Sequence, residues 1–490
     1  MHLPAEIYSV ASVRNMDRTA INDAGIAGYT LMNRAGLFAF EAAASAYPQA
    51  RRWQVICGGG NNGGDGYVVA RLAAEKGITV SAVALSPPAS LRGDAATAYA
   101  DFTALGGVTV GFEDKLDAES ELLVDGLLGS GLERELQGAY AQVVDAMNAH
   151  NAPVLALDIP TGLHADTGRA LGRAVSADIT VTFVGLKAGL FLHDGPDYVG
   201  SLMYSGLAIP DDCRAGEVPV LRRIDSAVIR QALPVRPRTA HKGDFGRVLI
   251  VGGAPGMPGA VRICGEAALR AGAGAVTIAT HPTHSAVVPA SRPELMCSGV
   301  ATASDLEPLL ENADVVAIGP GLGTDDWSQG LFAAAAGCGR PQVVDADALN
   351  LLASDPRVCE QAILTPHPGE AGRLLGKTAA GIQADRPAAL LNLAARYGST
   401  VVLKGAGSLV SSGTGIPWLC CAGNPGMAAP GMGDALTGII VSLLAQGLTA
   451  EMASVVGVQV HAEAGDAAAA AGERGLLASD LVNHIRARVN

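Results

Sequence analysis

The run Trp53–Cys57 (WQVIC) leads directly into Gly58–Gly66 (GGGNNGGDG), after which a helix is expected from near Asp65. Six glycines in nine residues allow positive φ and close approach of a ligand to the backbone. The amides that open a helix attract phosphate or another anion. Strand, glycine turn and helix in that order predict an α/β layer structure. Gly58, Gly60 and Gly63 satisfy the GxGxxG spacing of dinucleotide sites, but the next requirement fails. The second apolar run, 79–85, should end in a carboxylate for the ribose and instead meets Ser86, Pro87 and Pro88. A redox dinucleotide domain is therefore disfavoured.

Working outward, apolar runs at 53–57, 79–85, 121–125, 154–159 and 179–184 form one series with helical stretches between them. A second series lies at 247–252, 275–280, 315–319, 342–345, 362–365 and 400–404. Short runs of this kind, bounded by Gly, Pro and Asp, predict parallel sheets covered by helices. The stretch 210–243 is rich in Pro and charge and separates the two. The glycine motifs of the halves differ, so two unlike domains are expected, 1–215 and 241–490, with a linker at 216–240.

Length and composition agree: 490 residues, 49% hydrophobic and 17% charged, with 62 glycines and only 4% aromatics. The net charge of −13 argues against nucleic acid or an anionic membrane as partner. No apolar run is long enough to span a bilayer, and the N-terminus lacks a secretory pattern. The eight cysteines form no CxxC pair, so buried free thiols in the reducing cytoplasm are expected, without structural zinc or disulfides.

Chemistry-bearing residues fall at strand ends. LLVDGLLGSGL sets Asp125 before a glycine loop, and LALDIPTGL does the same with Asp158. Asn62, Asp125 and Thr161 would supply hard oxygens there, suited to an alkali or alkaline-earth cation. In the second half, Gly431-Met432-Gly433-Asp434 precedes an apolar helix. Its amides can receive a phosphoryl group while the aspartate takes a proton from an attacking hydroxyl. TVVLKGAGSLV ends a strand at Lys404 with Gly405, Ala406, Gly407 and Ser408 in the turn, where a cation and amides meet a nucleotide phosphate. AILTPHPGE places His367 at a strand end, and GPGLG spans Gly319–Gly323. There is no GxxxxGK[ST], so any nucleotide site is of another kind.

GGGNNGGDG, VDGLLGSGL, LDIPTGL and TFVGLKAGL, in that order over about 10–210, resemble the NAD(P)H-hydrate epimerase domain. The resemblance implies a Rossmann-like three-layer fold. Substrate contacts would fall on Asn61, Asn62, Gly63, Gly64 and Asp65, on Gly129, Ser130, Gly131, Leu132, Glu133, Arg134 and Glu135, and on Asp158. It also implies K⁺ on Asn62, Asp125 and Thr161, with Thr161 replacing the family's usual serine. The family's LMENAG reads LMNRAG here, through Asn33 and Arg34. Asp158 is the candidate acid and base for inversion at the hydroxyl-bearing ring carbon. Lys187 is the second candidate, an ordinary surface lysine being the alternative.

HKGDFGRVLIVGG, GPGLG, TPHPGE, KGAGS and GMGD, over about 225–490, resemble the ADP-dependent NAD(P)H-hydrate dehydratase of the ribokinase-like superfamily. That implies a ribokinase-like α/β fold. Hydrated cofactor would lie on Ala260, Gly321 or Gly323, His367 and Asp434, and the adenine nucleotide on Lys404–Ser408 and Gly433. Pro430 departs from the family's GGMGD and stiffens the loop. The whole chain is similar to the fused bifunctional repair enzyme, acting on NADHX and NADPHX with ADP as phosphoryl donor, AMP as product and Mg²⁺. A homo-oligomer is expected. The rival readings are a ribokinase-like small-molecule kinase, which GxGD alone fits equally well, and a binding or regulatory module with an inactive first half.

Overall fold

The computed structural model describes residues 3–113 and 115–490. The chain divides into two compact units, Met1–Leu221 and Arg222–Asn490. The segment expected as a linker contributes the strand Leu221–Arg223 and the helix Ser226–Ala232. Its Arg222 and Arg223 pair in parallel with Trp418 and Leu419 of the second unit. Ile224 and Ile229 are buried in that unit's core, which holds the segment in place.

The first unit is built on a parallel sheet. Its strands lie in the order Val108–Gly111, Thr79–Ala84, Arg52–Cys57, Leu122–Gly126, Val154–Leu157, Ile179–Phe183, Ser201–Ser205. In chain order that is 3-2-1-4-5-6-7, the doubly wound pattern whose crevice opens where the order reverses. The reversal falls between Arg52–Cys57 and Leu122–Gly126. Side chains alternate across the sheet, as strand geometry requires. Trp53, Val55, Leu122 and Val124 face the helices Val10–Asn22, Gly28–Ala46, Asn61–Glu75 and Gly93–Ala104. Ile56 and Leu123 face Gly138–Asn148 on the other side. Three layers result, as the resemblance implied.

The helix after the glycine run begins at Asn61, not near Asp65. Gly63 and Gly64 therefore sit inside its first turn, and the reason is packing. A Cβ on Gly63 would strike the Gly58 carbonyl, and one on Gly64 would strike the Met32 side chain. In the family departure at 33–34, Arg34 Nη1 donates to the Leu207 carbonyl at 2.8 Å, and Asn33 Oδ1 accepts from Arg71 at 2.8 Å. Both are tied within this unit.

The second unit orders its parallel strands Met296–Gly299, Ala275–Thr280, Arg247–Val251, Val315–Ile318, Gln342–Val344, Ala362–Leu364, Thr400–Leu403. Ser408–Ser411 and Trp418–Cys420 then continue the sheet antiparallel. The sequence reading foresaw only parallel pairing there. Four residues between Leu403 and Ser408 make a hairpin, whereas a parallel crossover needs a dozen or more. One face packs on the helices Pro258–Arg270, Met432–Ala445, Ala450–Ala469 and Ala478–Arg488. Asp326–Ala336 and Arg386–Tyr397 lie outside that cluster and pack on the opposite face.

All eight cysteines are free thiols. Only Cys57, Cys213, Cys264 and Cys420 are fully buried, so the expectation of buried thiols holds for half of them. Cys421 is exposed because the strand Trp418–Cys420 has just ended. Among the described residues no helix is long and apolar enough to cross a membrane.

Candidate active sites

In the first unit a cleft of about 1190 Å³ lies over the carboxyl ends of the central strands. Asn61, Asn62, Asp65, Gly129–Glu135, Asp158 and Lys187 line it, as the sequence predicts. Gly63 and Gly64 do not: they face the Gly58 carbonyl and Met32 rather than the cleft, for the packing reason above.

Asp158 follows the strand Val154–Leu157 at φ 69°, a left-handed conformation that costs a side-chain-bearing residue about 1–2 kcal/mol. Hydrogen bonds hold it there. Its amide donates to Val181 O at 2.7 Å, Oδ2 accepts from Ser130 N at 3.3 Å, and Oδ1 accepts from Lys187 Nζ. Lys187 is no surface lysine. Its side chain is 1% exposed, and Nζ also donates to Thr182 Oγ1 and Phe183 O at 3.0 Å each.

Two further carboxyls meet this ion pair. Burial pushes Asp17 up to about 6, with Lys187 pulling down and Asp158 pushing up. Burial raises Asp65 well above the carboxylate range, and Asp158 and Asp17 add repulsion. Asp17 escaped the sequence reading. It sits in the leading helix beside Met16, whose apolar spacing was the only visible signal.

Asp125 and Thr161 lie below the cleft floor. The fully buried Asp125 accepts from Thr161 N and Thr161 Oγ1 at 2.7 Å each and from Leu127 N at 3.2 Å. Burial still pushes it up to about 6, with these bonds opposing. Asn62 packs against Gly126 and Gly129, and both polar atoms of its buried carboxamide lack a hydrogen-bond partner among the described residues. An orphaned amide oxygen near a buried carboxylate and a hydroxyl is a donor set that fits a hard monovalent cation.

In the second unit Gly431 caps the helix Met432–Ala445 at φ 87°, where a side chain would be strained and would crowd Ile263 and Ala478. Asp434 stands in the first turn. Burial pushes it up to about 6, repulsion from Asp345 adds, and Lys404 opposes. A Cβ on Gly433 would lie 3.3 Å from Lys404 Nζ, so the GMGD turn and the KGAGS turn meet here.

Lys404 Nζ donates to Asp345 Oδ1 at 2.7 Å and lies 3.9 Å from Glu370 Oε2. The other Asp345 oxygen accepts from Thr437 Oγ1 at 2.8 Å. Asp345 and Glu370 were not singled out from sequence. Asp345 follows a strand as Asp158 does, and that shared position was the available signal. Burial raises Glu370 to about 7, with Lys404 opposing.

His367 caps the helix Pro368–Leu375. Its Nδ1 accepts from Gly369 N at 2.9 Å, and Glu370 returns the cap by accepting from His367 N at 2.8 Å. Burial and the cations Lys404 and Arg373 push its pKa down, which keeps the ring neutral. Gly321 approaches Ala260, to within 3.1 Å of an added Cβ, and Gly323 N donates to Asp347 Oδ2 at 2.8 Å. The turn Lys404–Ser408 is braced from below by Arg386, whose Nη2 donates to Leu403 O at 3.3 Å and Gly407 O at 2.9 Å. Gly405 and Gly407 take φ 144° and 68°, Ala406 is exposed at the tip, and Ser408 Oγ closes the turn onto Gly405 O at 3.1 Å.

Comparison with known proteins bears on both sites. Residues 248–487 match the NAD(P)H-hydrate dehydratase family, and residues 28–189 match the family described as YjeF-related protein N-terminus. The chain is 45% identical over 485 residues to the bifunctional NAD(P)H-hydrate repair enzyme Nnr of Coxiella burnetii, covering 99% of each. It is 42% identical over 489 residues to the Escherichia coli protein of that name, covering 100% of this chain and 95% of the relative. A ribokinase-like superfamily protein of Enterococcus faecalis, solved at 1.80 Å, is 29% identical with a TM-score of 0.52, over 55% of this chain and 95% of that one. Full-length relatedness, with both family matches in chain order, makes this chain a member of the bifunctional NAD(P)H-hydrate repair enzymes.

Proposed function

We propose that the first unit interconverts the two epimers of NADHX and NADPHX and that the second returns one of them to NADH or NADPH with ADP. The observation that carries this reading is the distribution of carboxyls. An Asp–Lys pair lies in the cleft of the first unit, and in the second Asp434 stands in the first turn of a glycine-capped helix beside a lysine.

For epimerisation, Asp158 is the group at the hydroxyl-bearing carbon. As a carboxylate it takes the proton of the water that returns, and the proton that leaves with the hydroxide comes from a neighbouring carboxyl whose pKa burial raises. Lys187 holds Oδ1 and orients the carboxyl. Asp17, pushed up to about 6, is that proton source beside them. Potassium would be held by Asn62, Asp125 and Thr161, where it would fix the floor under the ring without taking part in proton transfer.

For dehydration, Asp434 removes the proton of the ring hydroxyl as its oxygen attacks the terminal phosphorus of ADP, and AMP leaves. The amides of Gly431–Gly433 and the Lys404 ammonium are aimed at the charge that develops on the phosphoryl oxygens. The ring nitrogen lone pair then expels phosphate, and loss of the neighbouring ring proton restores the dihydronicotinamide. Asp345, Glu370 and Asp434 gather near Lys404, a negative excess that suits a magnesium–nucleotide complex. Magnesium is held by phosphates and one or two carboxylates, and it neutralises phosphate charge. Lys404–Ser408 carries the nucleotide phosphates, and Ala260, Gly321, Gly323 and His367 border the hydrated ring. Eight free thiols support a reducing compartment, the cytoplasm.

The test is recovery of reduced-nicotinamide absorbance from mixed-epimer NADHX with Mg²⁺, K⁺ and either ADP or ATP. Nucleotide-dependent recovery that consumes both epimers is expected, with ADP the donor. A protein that binds adenine nucleotide and yields a stable phosphorylated product would be a small-molecule kinase instead.

A further inference from the structure

A second hollow, of about 420 Å³, opens in the first unit over the ends of Thr79–Ala84 and Val108–Gly111. Ser86, Pro87, Tyr99, Thr109, Gly111 and Phe112 are among the residues that line it. A hydrogen-bonded pair links its wall to that of the cleft: Ser86 Oγ on the hollow side lies 3.2 Å from Tyr140 OH on the cleft side. The glycine turn reaches the same place, since a Cβ on Gly59 would lie 2.9 Å from Ser86 Oγ.

The topology says what should bridge the two. In a 3-2-1-4-5-6 sheet a dinucleotide crosses the reversal point with its pyrophosphate at the first helix N-terminus. That helix is Asn61–Glu75. With the hydrated ring at Asp158, over one side of the reversal, the other nucleoside falls over Thr79–Ala84 and Val108–Gly111. The hollow has the chemistry for it. Tyr99 and Phe112 offer rings for a purine, and the buried Thr109 hydroxyl has no partner among the described residues. No charged side chain lines the hollow among the described residues.

We infer that this hollow is the adenosine subsite of the epimerase, so that its substrate spans the sheet from Asp158 to Thr109. The inference rests on the epimerase reading above and extends it. It also explains the missing strand-end carboxylate. The ribose would meet Ser86, which neither repels a 2′-phosphate nor demands a free hydroxyl, so NADHX and NADPHX are taken alike.

The experiment uses the full-length protein without added nucleotide, so that only epimerisation runs. Chromatography follows conversion of one epimer of NADHX, of NADPHX and of hydrated reduced nicotinamide mononucleotide, which lacks adenosine. Gly111→Trp is designed to fill the hollow; Gly111 lines it, a Cβ there meets nothing within 4 Å, and its φ lies outside the left-handed region. It is expected to cut kcat/KM for both dinucleotides about tenfold or more and the mononucleotide less than about twofold. Ser86→Asp is expected to raise KM for NADPHX about tenfold over that for NADHX, through like-charge repulsion at the 2′-phosphate. Equal losses on all three substrates in folded variants, or no loss on any, overturn the subsite. Failure of the unmutated protein to epimerise any of the three refutes the epimerase reading itself.

Discussion

In the first unit the buried Lys187 is bound to Asp158, the residue placed at the reacting carbon; in the second, Lys404 is bound to Asp345 and leaves Asp434 without an ammonium bonded to it. The two carboxylates accordingly sit in different fields. Asp158 has a cation and a backbone amide fixing both oxygens. Asp434 has burial and a negative neighbour, which push it up to about 6. Epimerisation asks for one group to take a proton and another to give it: on the proposed reading the cation keeps Asp158 a carboxylate, the acceptor, and Asp17 is the donor beside it. Attack on a phosphate asks only for a base, and a higher pKa makes a stronger one. On the proposed reading the same Asp–Lys pair is reactive in one unit and architectural in the other.

The sharpest way to break that comparison is Asp434→Asn. It is expected to lower dehydration by about 10²–10⁴-fold, the usual worth of a general base, while epimer exchange continues. Equal loss of both activities in a folded protein would refute the two-site division. Lys187→Met leaves Asp158 without its partner and should cost about 3 kcal/mol of stability, as breaking a buried pair does. Thermal unfolding checks that, and epimerisation should be lost ahead of dehydration.

Glycine packing separates the units further. Gly63→Ala drives a Cβ into the Gly58 carbonyl and is expected to destabilise by about 2–3 kcal/mol in urea unfolding. Gly433→Ala brings a Cβ to 3.3 Å from Lys404 Nζ and 3.7 Å from Asp345 Oδ2, far milder than a backbone clash, and should cost under about 1 kcal/mol of stability while weakening nucleotide binding.

The smallest effect is a titration. Asp434 must be unprotonated to act, so its raised pKa makes the dehydration rate fall as pH drops below about 6. Asp345→Asn removes the repulsion and frees Lys404 to act on Asp434. Both changes lower the pKa, so the acid limb of the rate profile should move down by about one unit. A limb that stays in place, or moves up, would mean that another group is the base.

The amino-acid sequence by itself determined the two α/β units, the positions of their central strands along the chain and the motifs at their ends. The central strands were legible because both faces of a parallel sheet are buried, which leaves continuous apolar runs such as Val154–Leu157 and Val315–Ile318. Strands such as Val108–Gly111 and Met296–Gly299 were missed because they are short and largely exposed at the sheet margins, where little selects for apolar residues. Asp158, Lys187 and Asp434 stood in motifs and could be named. Tertiary structure alone decided their partners. Asp17 reaches the Asp158–Lys187 pair from a helix far earlier in the chain, and Asp345 meets Lys404 across 59 residues of sequence. Such meetings depend on how helices and strand ends converge over a sheet. No local periodicity encodes that convergence, and it sets the charge felt at each reacting group.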